Sequence, residues 1–256
     1  MSHAFNDHFA AVAASYANFR PAYPAALFAW LAEIAPGRNL AWDCATGSGQ
    51  AARDLAEHFR HVIASDASTA QIDAAAAHPK IEYRVATAEA CGLSDATVDL
   101  ITVAQALHWF DLERFFAEAR RVLKPAGVLA VWTYGVFTVE GEGIDTCVQA
   151  FYQDTVGPYW PPERIHVESG YRTLAFPFSE IQTPVFSMET AWTLPELLGY
   201  LRSWSATGHY IAAHGTDPVD GLAMELAPLW GDAHCTRLVS WPLSVRAGRV
   251  GSVQAG

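Results

Sequence analysis

Along the first 135 residues, apolar positions switch repeatedly between a helical and an extended period. Phe5, Phe9, Val12 and Tyr16 recur at helical spacing and predict an amphipathic helix over residues 6–17, broken by Arg20-Pro21-Ala22-Tyr23-Pro24. A second helix is expected over residues 25–34, stopped by Pro36-Gly37. Short, almost wholly apolar runs at 40–44, 61–66, 81–85, 98–103 and 128–134 read as strands. Helical patterns fill the gaps at 51–59, 69–77 and 112–124, the last opened by Asp111 as N-cap and closed by Pro125-Ala126-Gly127. Strands that are apolar on both faces belong to a parallel sheet covered by helices above and below. Such sheets bind ligands beyond the carboxyl ends of their strands, where the strand order reverses.

Between residues 136 and 181 the rhythm fails. Gly141, Gly143, Gly157-Pro158, Pro161-Pro162 and Gly170 alternate with Tyr152, Tyr159, Trp160 and Tyr171, which suggests a cap, helical over 144–155. A strand over 185–192, helices over 195–205 and 218–230, and a last strand over 237–246 then complete the pattern. That last strand suits an antiparallel return at the sheet edge.

Composition narrows the function. The chain has 256 residues, of which 17% are charged and 51% hydrophobic, and its net charge is −11. Neutralising phosphates requires clustered Lys and Arg, so nucleic acid and anionic membrane are not expected partners. No apolar run approaches the roughly 18–20 residues of a membrane helix, and the opening Met1-Ser2-His3-Ala4 shows no secretory pattern. Cys44, Cys91, Cys147 and Cys235 form no C-x-x-C pair and have no metal-ligand spacing with His, so reduced thiols, a cytoplasmic location and no metal site are expected.

The most informative segment is Asp43-Cys44-Ala45-Thr46-Gly47-Ser48-Gly49-Gln50, which joins the first strand to a helix. Gly47 and Gly49 let a ligand approach the backbone, and the helix start offers free N–H donors. Asp66 ends the second strand, where a carboxylate can receive both hydroxyls of a ribose. The pair points to an adenosine-type nucleoside, although the glycines could serve packing alone and Asp66 could simply cap the next helix. A nicotinamide dinucleotide is the competitor, since Ala52 stands where its fingerprint has a third glycine and Ala is tolerated there. Asp43 weighs against it, because a carboxylate repels a pyrophosphate but can hold an ammonium.

Asp43-x-Ala45-x-Gly47-x-Gly49 resembles the first motif of the class I S-adenosylmethionine-dependent methyltransferases. Ser65-Asp66-Ala67-Ser68 is similar to their second motif, and Ala86-Thr87-Ala88-Glu89 to the segment framing the adenine. Asp99 to Asp111 resembles the fourth-strand motif, and Leu123-Lys124-Pro125-Ala126-Gly127 the segment before strand five. Tyr16, Arg20-Pro21, Tyr23-Pro24 and Leu107-His108-Trp109-Phe110-Asp111 resemble a subgroup that includes trans-aconitate methyltransferase-like enzymes of small molecules. Ala45 departs from the family's usual glycine, and Thr87 from its usual acid.

The resemblance implies a Rossmann-like, doubly wound α/β fold: seven mostly parallel strands, an antiparallel last strand and a partly helical cap insertion. It implies one methyltransferase domain over 1–256, with a cofactor-binding core at 1–135, the cap at 136–181, and the end of the sheet with the acceptor side at 182–256. S-adenosylmethionine is the implied cofactor, held by Tyr16, Arg20, Asp43, Ala45, Gly47, Gly49, Gln50, Asp66, Ala67, Ala88, Glu89 and Gln105. The implied partner is a small-molecule acceptor, carboxylate or hydroxyl, on a monomer or homodimer. His108 is the candidate general base, and Trp109, Tyr159, Trp160, Arg202, Trp204 and His209 are the candidate acceptor contacts. A non-catalytic relative with the same fold, or a nicotinamide-dependent oxidoreductase, stands as the alternative.

Overall fold

The computed structural model describes residues 21–251. In chain order, helix α1 (Ala25–Ile34) leads into β1 (Leu40–Cys44), α2 (Gln50–His58), β2 (His61–Asp66), α3 (Thr69–Asp73), β3 (Ile81–Val85) and β4 (Val98–Ala104). A short 3-10 turn, Leu107–Trp109, precedes α4 (Leu112–Val122) and β5 (Leu123–Thr133). β6 (Thr138–Val139), α5 (Ile144–Ala150) and α6 (Arg164–Glu168) follow, then β7 (Ser179–Ile181) and β8 (Phe186–Trp192). Helices α7 (Leu194–Arg202), α8 (Ser205–His214) and α9 (Pro218–Trp230) lead to β9 (Arg237–Arg249).

The sheet runs in the order β3-β2-β1-β4-β5-β9-β6. Its first five strands are mutually parallel, and β9 returns antiparallel against β5. The chain moves outward from β1 to β3 and then jumps back to β4 on the other side of β1. The order therefore reverses between β1 and β4, which opens a crevice at their carboxyl ends.

Alternation along the strands explains why both faces are covered. Ala41, Val62, Ala64, Leu100, Val128, Ala130 and Trp132 face α1 and α2, where they meet Leu27, Phe28, Leu31, Leu55 and Phe59. Trp42, Ile63, Ile101, Val103, Leu129 and Val131 face the opposite way, against Phe115, Phe116, Ala119 and Val122 of α4. The cap serves both faces. Phe137, Ile144, Val148, Phe151 and Tyr152 join the first cluster, and Val167, Tyr171 and Phe178 the second.

The structure has nine strands where seven are expected, because β6 and β7 pair with β9 on either side of the cap. The cap is thus bracketed by strands of the sheet. The helix expected over 69–77 stops at Asp73. His78 precedes Pro79, which disfavours helical backbone before it, and His78 instead bridges to Ile81. Pro125-Ala126-Gly127 does not separate α4 from β5 but forms a bulge within β5: Val98 pairs with Leu123 and Leu100 with Val128, and Ala126 takes φ +61°. Helix α8 escapes the apolar pattern because little of it is buried beyond Ala206 and Thr207. Among the described residues no helix is long and apolar enough to cross a membrane.

At the amino ends of the strands, Asp99 of the central β4 is 2% exposed and staples the start of β1 to β4 and β5. Its Oδ2 accepts the N–H groups of Asn39 and Leu40 at 3.0 Å, and its Oδ1 accepts Lys124 Nζ at 2.7 Å. Asp99→Ala would strand two backbone donors and an ammonium. The expected loss is about 3 kcal/mol of stability, read as a lower urea midpoint with an unchanged slope.

Candidate active site

The glycine turn after β1 is shaped by a buried carboxylate. Asp43 is 1% exposed; its Oδ1 accepts the Thr102 hydroxyl at 2.7 Å and its Oδ2 the Thr46 hydroxyl at 2.5 Å. Thr102 stands directly opposite Asp43 in the β1–β4 register. Burial pushes the carboxyl up to about 6, the two hydroxyls pull it back down, and the charge of Asp66 adds to the rise.

Within the turn, Ala45, Gly47 and Gly49 adopt φ of +54°, +57° and +89°. Gly49 needs both its conformation and its lack of a side chain, because a Cβ there would lie 2.4 Å from Tyr83 Oη. Ala45 holds a left-handed conformation that costs an L-residue roughly 1–2 kcal/mol, so its exchange for the usual glycine is not sterically mild. The Gly47 N–H donates to Asp66 Oδ2 at 2.9 Å, and the Thr46 N–H to Ser65 O at 2.9 Å, tying the turn to the end of β2.

The neighbouring loops close on this turn. Asp66 Oδ1 accepts the Ser68 N–H at 2.9 Å, which places Ala67 beside the turn, and Asp66 O accepts the Ala86 N–H at 3.0 Å. Ala88 is buried, and Glu89 accepts the Asp111 N–H at 3.1 Å, linking the loop after β3 to the start of α4. Gln50 Nε2 donates to Pro21 O at 3.0 Å. Gln105 has φ +60°; its amide donates to Tyr134 O at 3.1 Å and accepts the Thr133 hydroxyl at 2.7 Å, so it clamps the ends of β4 and β5. Tyr16 and Arg20 lie outside the described residues.

His108 and Trp109 occupy the 3-10 turn after β4. His108 Nδ1 lies 3.0 Å from Tyr171 Oη of the cap, a partner that no sequence spacing signals. Burial, with the nearby His166 and Arg164, pushes His108 down to about 4. Its ring packs against that of Trp109, which is 45% exposed at the rim.

The remaining candidates fall in three places. Trp160 and Trp204 pack with Tyr152 in an aromatic cluster, and Trp204 is buried there among Phe137, Phe151 and Tyr200. Tyr159 and His209 sit together farther out, with His209 Nδ1 at 3.0 Å from Tyr159 O and the Tyr159 hydroxyl on His214. Arg202 is engaged elsewhere: Asp217 takes its Nε at 2.6 Å and Asp220 its terminal nitrogen at 2.8 Å, which ties α7 to α9.

Two substitutions test this account. Between pH 4 and 6 the unfolded chain has released the Asp43 proton while the folded chain retains it, so this group makes stability fall as pH rises through that window. By pH 7 the cumulative cost is about 3 kcal/mol, and Asp43→Asn, which can still bond both hydroxyls, should flatten that part of a urea-midpoint profile. Ala45→Gly should raise stability by about 0.5–1 kcal/mol, the relieved backbone strain less the added freedom of the unfolded chain, measured by urea unfolding.

A glycine turn between two carboxylates at a strand-order reversal suits a nucleoside with a cationic amino-acid tail. Residues 42–131 match a family model described as a methyltransferase domain. The chain is 36% identical over 216 residues to a candidate methyltransferase of Dictyostelium discoideum, covering 83% of this chain and 82% of that one. A solved structure of a candidate type II methyltransferase from Anaeromyxobacter dehalogenans is 49% identical, covers 90% of this chain and 98% of its own, and superposes with a TM-score of 0.87. A candidate S-adenosylmethionine-dependent methyltransferase of Saccharomyces cerevisiae is 24% identical over 231 residues, covering 75% and 78% of the two chains. With the fold, the turn and relatives matching over most of their length in agreement, the chain belongs to the class I S-adenosylmethionine-dependent methyltransferases, with S-adenosylmethionine as its cofactor.

Proposed function

We propose that the protein methylates a small organic acceptor held beyond the carboxyl ends of β4 and β5. The observation that carries this reading is the glycine turn held between Asp43 and Asp66 beside the β1–β4 crevice. S-adenosylmethionine, when bound, supplies a methyl group already activated by its sulfonium. In this reading Asp66 faces the ribose hydroxyls, Asp43 attracts the ammonium, and Ala67, Ala88 and Glu89 border the adenine. Residues 1–135 hold the cofactor, and 136–181 with 182–256 select the acceptor, within one domain. The acidic, charge-poor composition weighs against a nucleic-acid partner, and in this reading the protein is a cytoplasmic monomer or homodimer.

The chain's contribution to the chemistry is alignment and exclusion of water, which can supply much of the barrier reduction in a displacement. His108 acts by position. An imidazole held near 4 and already bonded to Tyr171 is a poor proton acceptor, but it is neutral at pH 7 and walls the acceptor site. That favours an acceptor needing no base, such as a carboxylate, over an alcohol. Trp109, packed on the His108 ring, and Trp160 serve in this reading as aromatic walls, whereas Arg202 is committed to Asp217 and Asp220.

Calorimetry with S-adenosylhomocysteine and with NADH separates methyl transfer from hydride transfer, and tight NADH binding alone would reject the reading. Release of S-adenosylhomocysteine in an acceptor screen separates an enzyme from a binding protein. For His108→Asn, kcat/KM on the true acceptor should fall about tenfold with its pH profile unmoved. A loss of a thousandfold, with disappearance of an inflection between pH 6 and 7, would instead make His108 the base.

A further inference from the structure

Arg164 stands where the cap meets the strand ends. Its guanidinium carbon lies 4.4 Å from the centre of the Trp160 ring and 5.5 Å from that of Tyr152. Nε donates to Tyr152 Oη at 2.9 Å. The nearest carboxylate, Glu168, is 3.9 Å from Nε and already accepts the Tyr152 hydroxyl at 2.5 Å. The two terminal nitrogens of Arg164 therefore have no partner among the described residues. On the ring that the guanidinium covers, the buried indole N–H of Trp160 is also unpartnered among the described residues. On its other side, the Arg164 charge reaches both His108 and Tyr171.

Two features make this cation unusual. Among the half-buried arginines, Arg84, Arg121 and Arg246 are each paired with a carboxylate at 2.5–2.7 Å and the terminal nitrogens of Arg237 bond backbone carbonyls, whereas Arg164 keeps its fork open. A buried indole N–H without an acceptor also costs roughly 1–3 kcal/mol, a cost that a ligand oxygen would remove. A planar fork plus one further N–H donor matches a carboxylate. The half-buried Trp160 ring, backed by Tyr152 and Trp204, offers an apolar face to the body attached to it.

Resting on the methyltransferase reading, we propose that Arg164 and Trp160 form the anchoring subsite of the acceptor and receive a carboxylate that orients it against His108, whichever atom takes the methyl. The probes are benzoate and its uncharged analogue benzamide, titrated calorimetrically into protein saturated with S-adenosylhomocysteine. Benzoate should bind at least tenfold tighter than benzamide. Arg164→Gln should abolish that preference, Arg164→Lys should retain part of it, and Trp160→Phe should weaken benzoate several-fold with little change for benzamide. Affinity for S-adenosylhomocysteine should be the same in all variants, which also shows that they fold. A merely structural Arg164 would not discriminate the two probes. Absence of benzoate binding, equal affinity for the probes, or a preference that survives Arg164→Gln overturns the subsite while leaving the cofactor reading intact. Failure of S-adenosylhomocysteine to bind the unmodified protein overturns both.

Discussion

A carboxylate removed from water must be surrounded by donors, and Asp43 draws its donors from two elements that otherwise have no reason to hold a fixed relation. Thr46 belongs to the turn and Thr102 to the neighbouring strand. Satisfying one buried charge therefore fixes the path of the turn and its distance from β4 together. Asp66 completes the arrangement from the other side through the Gly47 N–H. The turn is thus held by hydrogen bonds that need no ligand, which is the condition under which binding energy is not spent on ordering a site.

Much of this was legible in the sequence, and for identifiable reasons. The strands at 40–44, 61–66 and 81–85 have the bounds expected, because each is a short apolar run between turn-forming residues. Gly47, Gly49 and Asp66 were legible because backbone geometry and charge leave few residue types fit for those positions. The partnership of Asp43 with Thr102 was not, since it needs the strand order, and that is a tertiary fact. Tyr171 is a similar case: it meets His108 from a cap with no periodicity to read. Arg202 looked like an anion receiver by residue type, but its fork is filled by Asp217, the N-cap of α9, and Asp220 in the first turn of that helix. The bulge at Pro125-Ala126-Gly127 looked like a stop because Pro and Gly end helices more often than they kink a strand.

The low charge fraction has a structural cause. A sheet covered on both faces, plus an aromatic cluster spanning the cap and α7, leaves little surface that must be charged. Tyr200 contacts Phe137, Trp192, Trp204 and Trp241, so the cap, β8, α7 and β9 share one packed interior. Close-packed interiors transmit small displacements, so a change in any of these rings is felt across the cap, β8, α7 and β9.

Strand β9 carries a further consequence. One half pairs with β5 and β7, the other with β8 and β6, so residues 237–249 close both the cofactor sheet and the cap. During synthesis on the ribosome these residues emerge after every element they pair with. Until then the side of β5 away from β4 presents an unpaired backbone ladder, almost wholly apolar over residues 128–133, a template for pairing with other chains. Folding of these elements thus cannot be completed piecewise from β1 onward, and the vulnerable interval lasts until residues 237–249 have been made.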